Sequence, residues 1–271
     1  MLMEITSYKN WFKSFTDKFL YQDDIKDYPF IIKKEHTARV CAIILAICHD
    51  LNVSEHVCRL AQIIALFHDL GRFEQYARYQ TFKDNESVNH AIQSIRDLVQ
   101  NRVLDNLPFK DRRIIFNAIR FHSVANIPLD KDAEILFYMR LIRDADKLDI
   151  WRIFIDYYQN RDIHQNKVIE LGVSDRPECS EQILTALLNG RIALTSELKT
   201  LNDFKLIQLG WIYDLNFRFS FKYVKNENII EQFADILPKT EKVQTVVNNL
   251  FAYRDAQIKS GLIDSSAQCL S

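Results

Sequence analysis

The feature that most limits the fold of this chain is its near lack of helix breakers. Only five glycines and five prolines occur in 271 residues. Apolar residues recur at helical spacing almost throughout, for example at Ile31, Val40, Ile44 and Ile47. Because 48% of the residues are hydrophobic, the chain can also bury a sizeable core. The sequence therefore predicts an all-α protein.

The periodicity also predicts where the helices begin and end. The predicted helices are residues 4–20, 28–50, 54–69, 86–102, 110–122, 130–147, 150–160, 178–190, 195–215 and 227–256. Ser54 is a plausible N-cap, and Gly71 is expected to end the third helix in a left-handed conformation. Residues 76–85, which are polar and aromatic together, are expected to form an irregular loop on the substrate side.

Residues 1–271 are expected to form a single all-helical domain. Its core would span about residues 28–160, and a C-terminal helical extension would span about 161–271. No internal repeat or flexible linker divides the chain, and residues 161–178 are its weakest seam.

The charge balance limits the partners. With 35 basic and 36 acidic residues, the formal net charge is −1, so no global field favours nucleic acid or an anionic membrane. The N-terminus lacks the pattern of a secretory signal, and charges interrupt the apolar runs. The five cysteines form no Cys-x-x-Cys pair. We expect a cytoplasmic protein with no nucleic-acid or membrane partner, and the sequence leaves its oligomeric state open.

Six side chains on separate predicted helices form a candidate metal-binding set. They are His36, His68, Asp69, His90, His122 and Asp146. A pair of metal ions needs about this inventory of imidazoles and carboxylates, delivered from several rigid elements. Asp69 and Asp146 follow apolar helical runs, and carboxylates at such positions need a cation or hydrogen bonds.

A second His-Asp dipeptide, His49-Asp50, competes with the first. His36 and His49 lie on one predicted helix, and thirteen residues separate them by about 20 Å, so they cannot bind one ion. His68 lies on the next, antiparallel helix, whose end can return to the level of His36. We expect His49, His56 and His164 to be surface or helix-end residues.

The motifs around these side chains resemble those of the HD-domain superfamily of metal-dependent phosphohydrolases. The matching segments are KKEHTARV, ALFHDLGRFEQY and RDADKLDIW, while SVNHAIQSI and IRFHS supply the extra histidines of the six-ligand variant. The resemblance covers about residues 28 to 160 and implies an HD-domain helical bundle with additional C-terminal helices. It places the last ligand at Asp146 rather than Asp144. The chain lacks the Gly-Tyr-Pro signature of the cyclic-di-nucleotide branch.

The resemblance also implies how two metals would be held. His36, His68, Asp69 and Asp146 would bind one ion, and Asp69 would bridge to a second ion held by His90 and His122. The shared hydroxide would then hydrolyse a small phosphorylated substrate, a phosphomonoester or phosphodiester of nucleotide-like type. Four imidazoles favour iron or manganese, with zinc or nickel as alternatives and magnesium disfavoured.

Cations near the ligands are expected to stabilise charge on the phosphoryl group. Lys147 and Arg72, beside ligand segments, join Asp69 as the candidate catalytic residues, and Arg143 is a further option. Tyr76, Tyr79 and Phe82 could stack on a base or pack on the bundle.

Two other functions fit the same ligand pattern. One is an HD-fold di-iron oxygenase acting on a small polyol or phosphonate, since open positions on iron also suit oxygen chemistry. The other is a non-catalytic metal- or ligand-binding HD protein.

Overall fold

The computed structural model describes residues 4–128, 130–161, 170 and 172–260. The α-helices are α1 (Ile5–Thr16), α2 (Asp24–Asp50), α3 (Glu55–Phe67), α4 (Gly71–Tyr79), α5 (His90–Gln100), α6 (Phe109–Phe121), α7 (Ala133–Gln159), α8 (Glu181–Leu188), α9 (Leu201–Gly210), α10 (Arg218–Asn226), α11 (Ile229–Asp235) and α12 (Glu241–Ser260). Within the described residues there is no β-strand, only an isolated bridge between Ser174 and Thr200. The predicted all-α fold is confirmed.

Local capping sets the starts of α2 and α3. The Asp23 carboxylate accepts hydrogen bonds from the backbone N–H groups of Ile25 and Lys26, both at 3.1 Å. Because this cap lies before residue 28, α2 starts four residues earlier than predicted. The predicted cap Ser54 is confirmed, since its hydroxyl accepts a 3.4 Å hydrogen bond from the N–H of Val57.

Gly71 does not end a helix in a left-handed conformation, as predicted, but begins α4. A Cβ atom at this position would lie 2.3 Å from the carbonyl oxygen of His90 and 2.6 Å from the backbone nitrogen of Ser94. The glycine therefore permits close approach of α4 to α5. Since α4 continues to Tyr79, the first four residues of the predicted loop 76–85 are helical.

Other predicted boundaries are also wrong. Residues 130–147 and 150–160 are joined in one helix, α7, because neither glycine nor proline interrupts the sequence between them. The predicted helix 227–256 is instead divided between α11 and α12, with Pro238 in the connection. Helix α10, which ends just before Glu227, was not predicted.

The chain divides into two compact units between Asp146 and Lys147. In the first unit, α3 packs against α1, α2 and α6, and α5 packs against α4 and α6. In the second unit, α12 packs against α8, α10 and α11. None of the described helices combines the length and apolar character needed to cross a membrane. The expectation of a single domain stays a prediction.

Candidate metal centre

The first unit brings the six predicted ligands together. His36 lies within α2, His68 and Asp69 directly follow α3, His90 is the first residue of α5, His122 directly follows α6, and Asp146 lies within α7. The first five of these residues are buried, and the side chain of Asp146 is 14% exposed. Four of the six thus stand at helix ends, where the chain turns towards a common centre.

One group of ligand atoms surrounds the Oδ2 atom of Asp69. The Nε2 atoms of His36 and His68 lie 3.7 and 3.8 Å from this oxygen. They also lie 3.1 and 3.6 Å from Oδ1 of Asp146. The ligand atoms of His36, His68 and Asp146 lie within 4.8 Å of one another, a spacing that suits donors around a single ion.

A second group surrounds the other oxygen of the same carboxylate. Asp69 Oδ1 lies 3.4 Å from Nε2 of His90 and 3.7 Å from Nε2 of His122. The two imidazole nitrogens lie 3.1 Å apart. The two oxygens of Asp69 therefore face different pairs of histidines, as a carboxylate shared by two ions would.

Hydrogen bonds fix which nitrogen of these imidazoles carries the proton. Nδ1 of His68 lies 2.8 Å from the carbonyl oxygen of Ala65, and Nδ1 of His122 lies 2.7 Å from that of Ile119. Because carbonyl oxygens only accept, both Nδ1 atoms donate, which leaves Nε2 as the ring nitrogen that can bind a metal. Nε2 of His68 is buried without a hydrogen-bond partner, so it fits a metal ligand.

His90 is oriented by a carboxylate. Its Nδ1 donates to Asp84, whose oxygens lie 2.7 and 2.9 Å away. Burial and then the charge of Arg72 lower the pKa of His90 to about 4, against the opposing effect of Asp84. With Nδ1 of His90 held by Asp84 and Nδ1 of His122 held by Ile119, the two Nε2 atoms face each other across 3.1 Å, as two ligands of one cation would.

Both carboxylates of the cluster favour the charged form. Burial opposes ionisation of Asp69, but the Lys33 ammonium and the neighbouring His68, His122 and Arg72 outweigh it and hold its pKa well below the usual value. Burial likewise opposes ionisation of Asp146. The imidazoles of His36 and His68, whose Nε2 atoms lie 3.1 and 3.6 Å from its Oδ1, outweigh burial and bring its pKa well below the usual value as well. Ionised carboxylates and neutral imidazoles are the forms that bind metal.

The predicted cations have different surroundings. Arg72 is close to the cluster, with Nε 3.5 Å from Asp69 Oδ1, and its Nη1 donates to Asp84 at 2.9 Å. Lys147 belongs to the second unit, where its Nζ lies 2.6 Å from Oδ2 of Asp214. A catalytic role for Lys147 stays a prediction.

Arg143 is buried and donates to backbone carbonyl groups, those of Phe121, His122 and Val124 among them. These carbonyls are at or just beyond the C-terminal end of α6, where a positive charge is favourable. Arg143 therefore stabilises the backbone that carries the imidazole of His122.

Two residues at the cluster were missed by the sequence reasoning. The first is Lys33, whose Nζ lies 2.7 Å from Asp69 Oδ2. Its spacing of three residues from His36 could have revealed it, since such residues share one face of a helix. The second is Asp84, which belongs to the segment expected to be irregular. No local pattern marks it as a partner of His90.

The aromatic residues after Arg72 pack on the bundle. The rings of Tyr76 and Phe82 are stacked, with centroids 4.7 Å apart, and Tyr76 meets Phe30 edge to face at 5.5 Å. Of the two roles considered, packing is the one observed for Tyr76 and Phe82. Tyr79 is 45% exposed.

The remaining histidines lie outside the cluster, as far as they are described. His49 is exposed on α2. His56 has its Nε2 3.5 Å from an Asp111 oxygen and is about half exposed. His164 lies outside the described residues.

Fold and site together define a class: an α-helical protein whose histidine and aspartate side chains could hold metal ions. Residues 34–151 match the family model described as HD domain. This segment resembles the HD-domain superfamily, whose members are typically metal-dependent phosphohydrolases and bind divalent metals. No curated protein and no solved structure matches the chain.

Proposed function

We propose that the protein is a metal-dependent phosphohydrolase with a dinuclear centre, which acts on a small phosphomonoester or phosphodiester. The observation that carries the proposal is the position of Asp69. Its two oxygens face two separate imidazole pairs, with Oδ2 towards His36 and His68 and Oδ1 towards His90 and His122. A single metal would leave one of these pairs unused.

The proposed ligand sets follow from these directions. One set is His36, His68, Asp146 and Asp69 Oδ2; the other is His90, His122 and Asp69 Oδ1. The imidazole-rich donors favour iron or manganese over magnesium. Two such ions, when bound, lower the pKa of a shared water and stabilise charge on a phosphoryl group.

Hydrogen bonds within the protein would hold the metal ligands in position for this chemistry. Asp84 fixes the ring of His90, and Ala65 and Ile119 fix those of His68 and His122 through their carbonyl oxygens. Such outer hydrogen bonds keep ligand atoms in place without reorganisation during the reaction. The guanidinium of Arg72, held by Asp84 and close to Asp69, adds positive charge next to the proposed position of the phosphate.

The two His-Asp dipeptides of the chain offer a matched test. His68→Ala removes a proposed ligand, whereas His49→Ala removes an exposed imidazole from the other dipeptide. Each protein is purified without nickel, reconstituted anaerobically with Fe(II) or Mn(II), and analysed for metal per chain. Phosphate release is then measured on nucleotides and sugar phosphates, and release of the alcohol is measured on phosphodiesters, whose hydrolysis leaves a phosphomonoester.

We expect the wild type and His49→Ala to bind about two ions per chain and to hydrolyse a phosphomonoester or phosphodiester without oxygen. His68→Ala should lose metal and activity together while its far-ultraviolet circular dichroism stays helical. One ion per chain or fewer in the wild type would refute the dinuclear centre. Turnover that requires oxygen would instead assign an oxygenase, and metal binding without turnover on any substrate would favour a non-catalytic protein.

A further inference from the structure

Lys33 reaches the metal cluster from α2, one turn before His36. Its Nζ lies 2.7 Å from Asp69 Oδ2, the oxygen that also faces His36 and His68. The side chain is only 21% exposed. The ammonium therefore holds a carboxylate oxygen that belongs to one of the proposed ligand sets.

Lys33 has a second contact close to the site, with the ring of Phe82. Its Nζ lies 5.5 Å from the centroid of the Phe82 ring, in a cation–π arrangement. Phe82 is itself fixed, because its ring stacks on Tyr76 and its carbonyl oxygen accepts a hydrogen bond from Arg72. The lysine stem is flexible, so the ammonium can change partners within a restricted space.

We propose that Lys33 exchanges partners: in the metal-free protein it neutralises Asp69, and in the metal-loaded protein it binds an anionic oxygen of the substrate's phosphate. A divalent cation and an ammonium that share one carboxylate oxygen repel each other, so metal binding displaces Lys33 from Asp69. A phosphate beside the ions then offers it a new anionic partner. The substrate part of this inference rests on the function proposed above.

The position of Arg72 supports an anion at this place. Lys33 is next to one oxygen of Asp69, and Arg72 is next to the other, with its Nε 3.5 Å from Oδ1. Once divalent ions neutralise Asp69, two cationic side chains flank the same position. Asp84 offsets part of the charge of Arg72, whereas Asp69 is the carboxylate that pairs with Lys33.

The neighbouring lysine provides the control. Lys34 has the same charge and a similar place on α2, and its Nζ forms an ion pair with Asp17. Lys33→Met and Lys34→Met therefore make the same change in charge, but only the first removes a contact with Asp69. Lys33→Arg keeps the positive charge and serves as a rescue variant.

The first measurement is the Mn(II) affinity of the metal-free protein, in competition with a chelator. Lys33→Met should bind Mn(II) several-fold more tightly than the wild type, because no ammonium has to leave Asp69, while Lys34→Met should be unchanged. Weaker Mn(II) binding in Lys33→Met, or the same increase in both variants, would overturn the exchange.

The second measurement is the binding of inorganic phosphate to the Mn(II)-loaded protein by calorimetry. Lys33→Met should lose about tenfold in phosphate affinity, as expected for one charge-assisted hydrogen bond. Lys33→Arg should retain most of the affinity, and Lys34→Met all of it. Equal affinity in Lys33→Met and the wild type, or no phosphate binding by the loaded wild type, would overturn the anion-binding role.

This test does not depend on turnover. If the wild type hydrolyses no phosphate ester but Lys33→Met still changes Mn(II) and phosphate affinity as expected, the proposed hydrolase function fails and the role of Lys33 stands. If phosphate esters are hydrolysed but neither affinity responds to Lys33→Met, the role of Lys33 fails alone.

Discussion

Replacing Asp84 by Asn should weaken one of the two proposed metal sites and spare the other. Asp84 accepts the Nδ1 proton of His90 and also bonds Arg72 and Gln75. Asn keeps the size of the side chain but removes its charge. His90 then loses the carboxylate that orients its ring and raises the basicity of its Nε2. The other proposed set, with His36 and Asp146, does not contact Asp84.

The partners of Asp84 lower its pKa to about 2, against the effect of burial, so it is ionised when it orients His90. Loss of such a partner of a metal-binding histidine typically costs about tenfold to a hundredfold in metal affinity. Because the side chain of Asp84 is 30% exposed and also binds Arg72 and Gln75, we expect the lower end, about tenfold or about 1.4 kcal/mol.

Stepwise titration of the metal-free protein with Mn(II), monitored by calorimetry, measures the affinity of both sites. One binding step should weaken about tenfold in Asp84→Asn, with the other unchanged. Glu86→Gln is the control, because Glu86 belongs to the same turn but pairs with Lys83 at 3.0 Å and is about half exposed. Unchanged affinity for both ions, or an equal loss at both, would refute the assignment of His90 to a separate ligand set.

Two further predictions concern stability. Gly71→Ala should lower the free energy of unfolding in urea by about 2–3 kcal/mol, because the new Cβ would meet backbone atoms of α5. Gly210→Ala is the control and should cost less than about 1 kcal/mol, since its Cβ would press mainly on a methyl group of Leu187. Equal costs for the two variants would contradict this explanation. Burial, opposed by Gln93 but reinforced by Glu74, raises the pKa of Asp97 to about 7. The folded state therefore retains a proton that the unfolded state releases, so stability should fall by about 2 kcal/mol between pH 4 and pH 7, with partial solvent screening included. Asp97→Asn should remove this part of the pH dependence, and an unchanged slope would show that Asp97 ionises normally.

The sequence predicted elements well where the signal is local. Ser54 and the apolar run after it define α3, and the scarcity of breakers defines an all-α fold. The prediction failed at Gly71 because a glycine before a helix and a glycine after one look alike in sequence. Only the approach of α5, whose backbone would meet a Cβ atom there, explains why this residue is glycine.

The candidate site was also predicted only in part. The six proposed ligands could be chosen because their residue types and their order are properties of the sequence, and the structure brings them together. Lys33 and Asp84 were not chosen, since lysine and aspartate are common at helix surfaces and in turns. Their contacts with Asp69 and His90 distinguish them from other charged residues.

The sequence by itself determined the helical class, most of the helices and the inventory of imidazoles and carboxylates, because helix formation depends on neighbours three and four residues away. Only the tertiary structure decided which oxygen of Asp69 faces which histidines and that Lys33 shares that carboxylate. Those relations depend on how separate helices pack, and packing joins residues that the sequence keeps far apart.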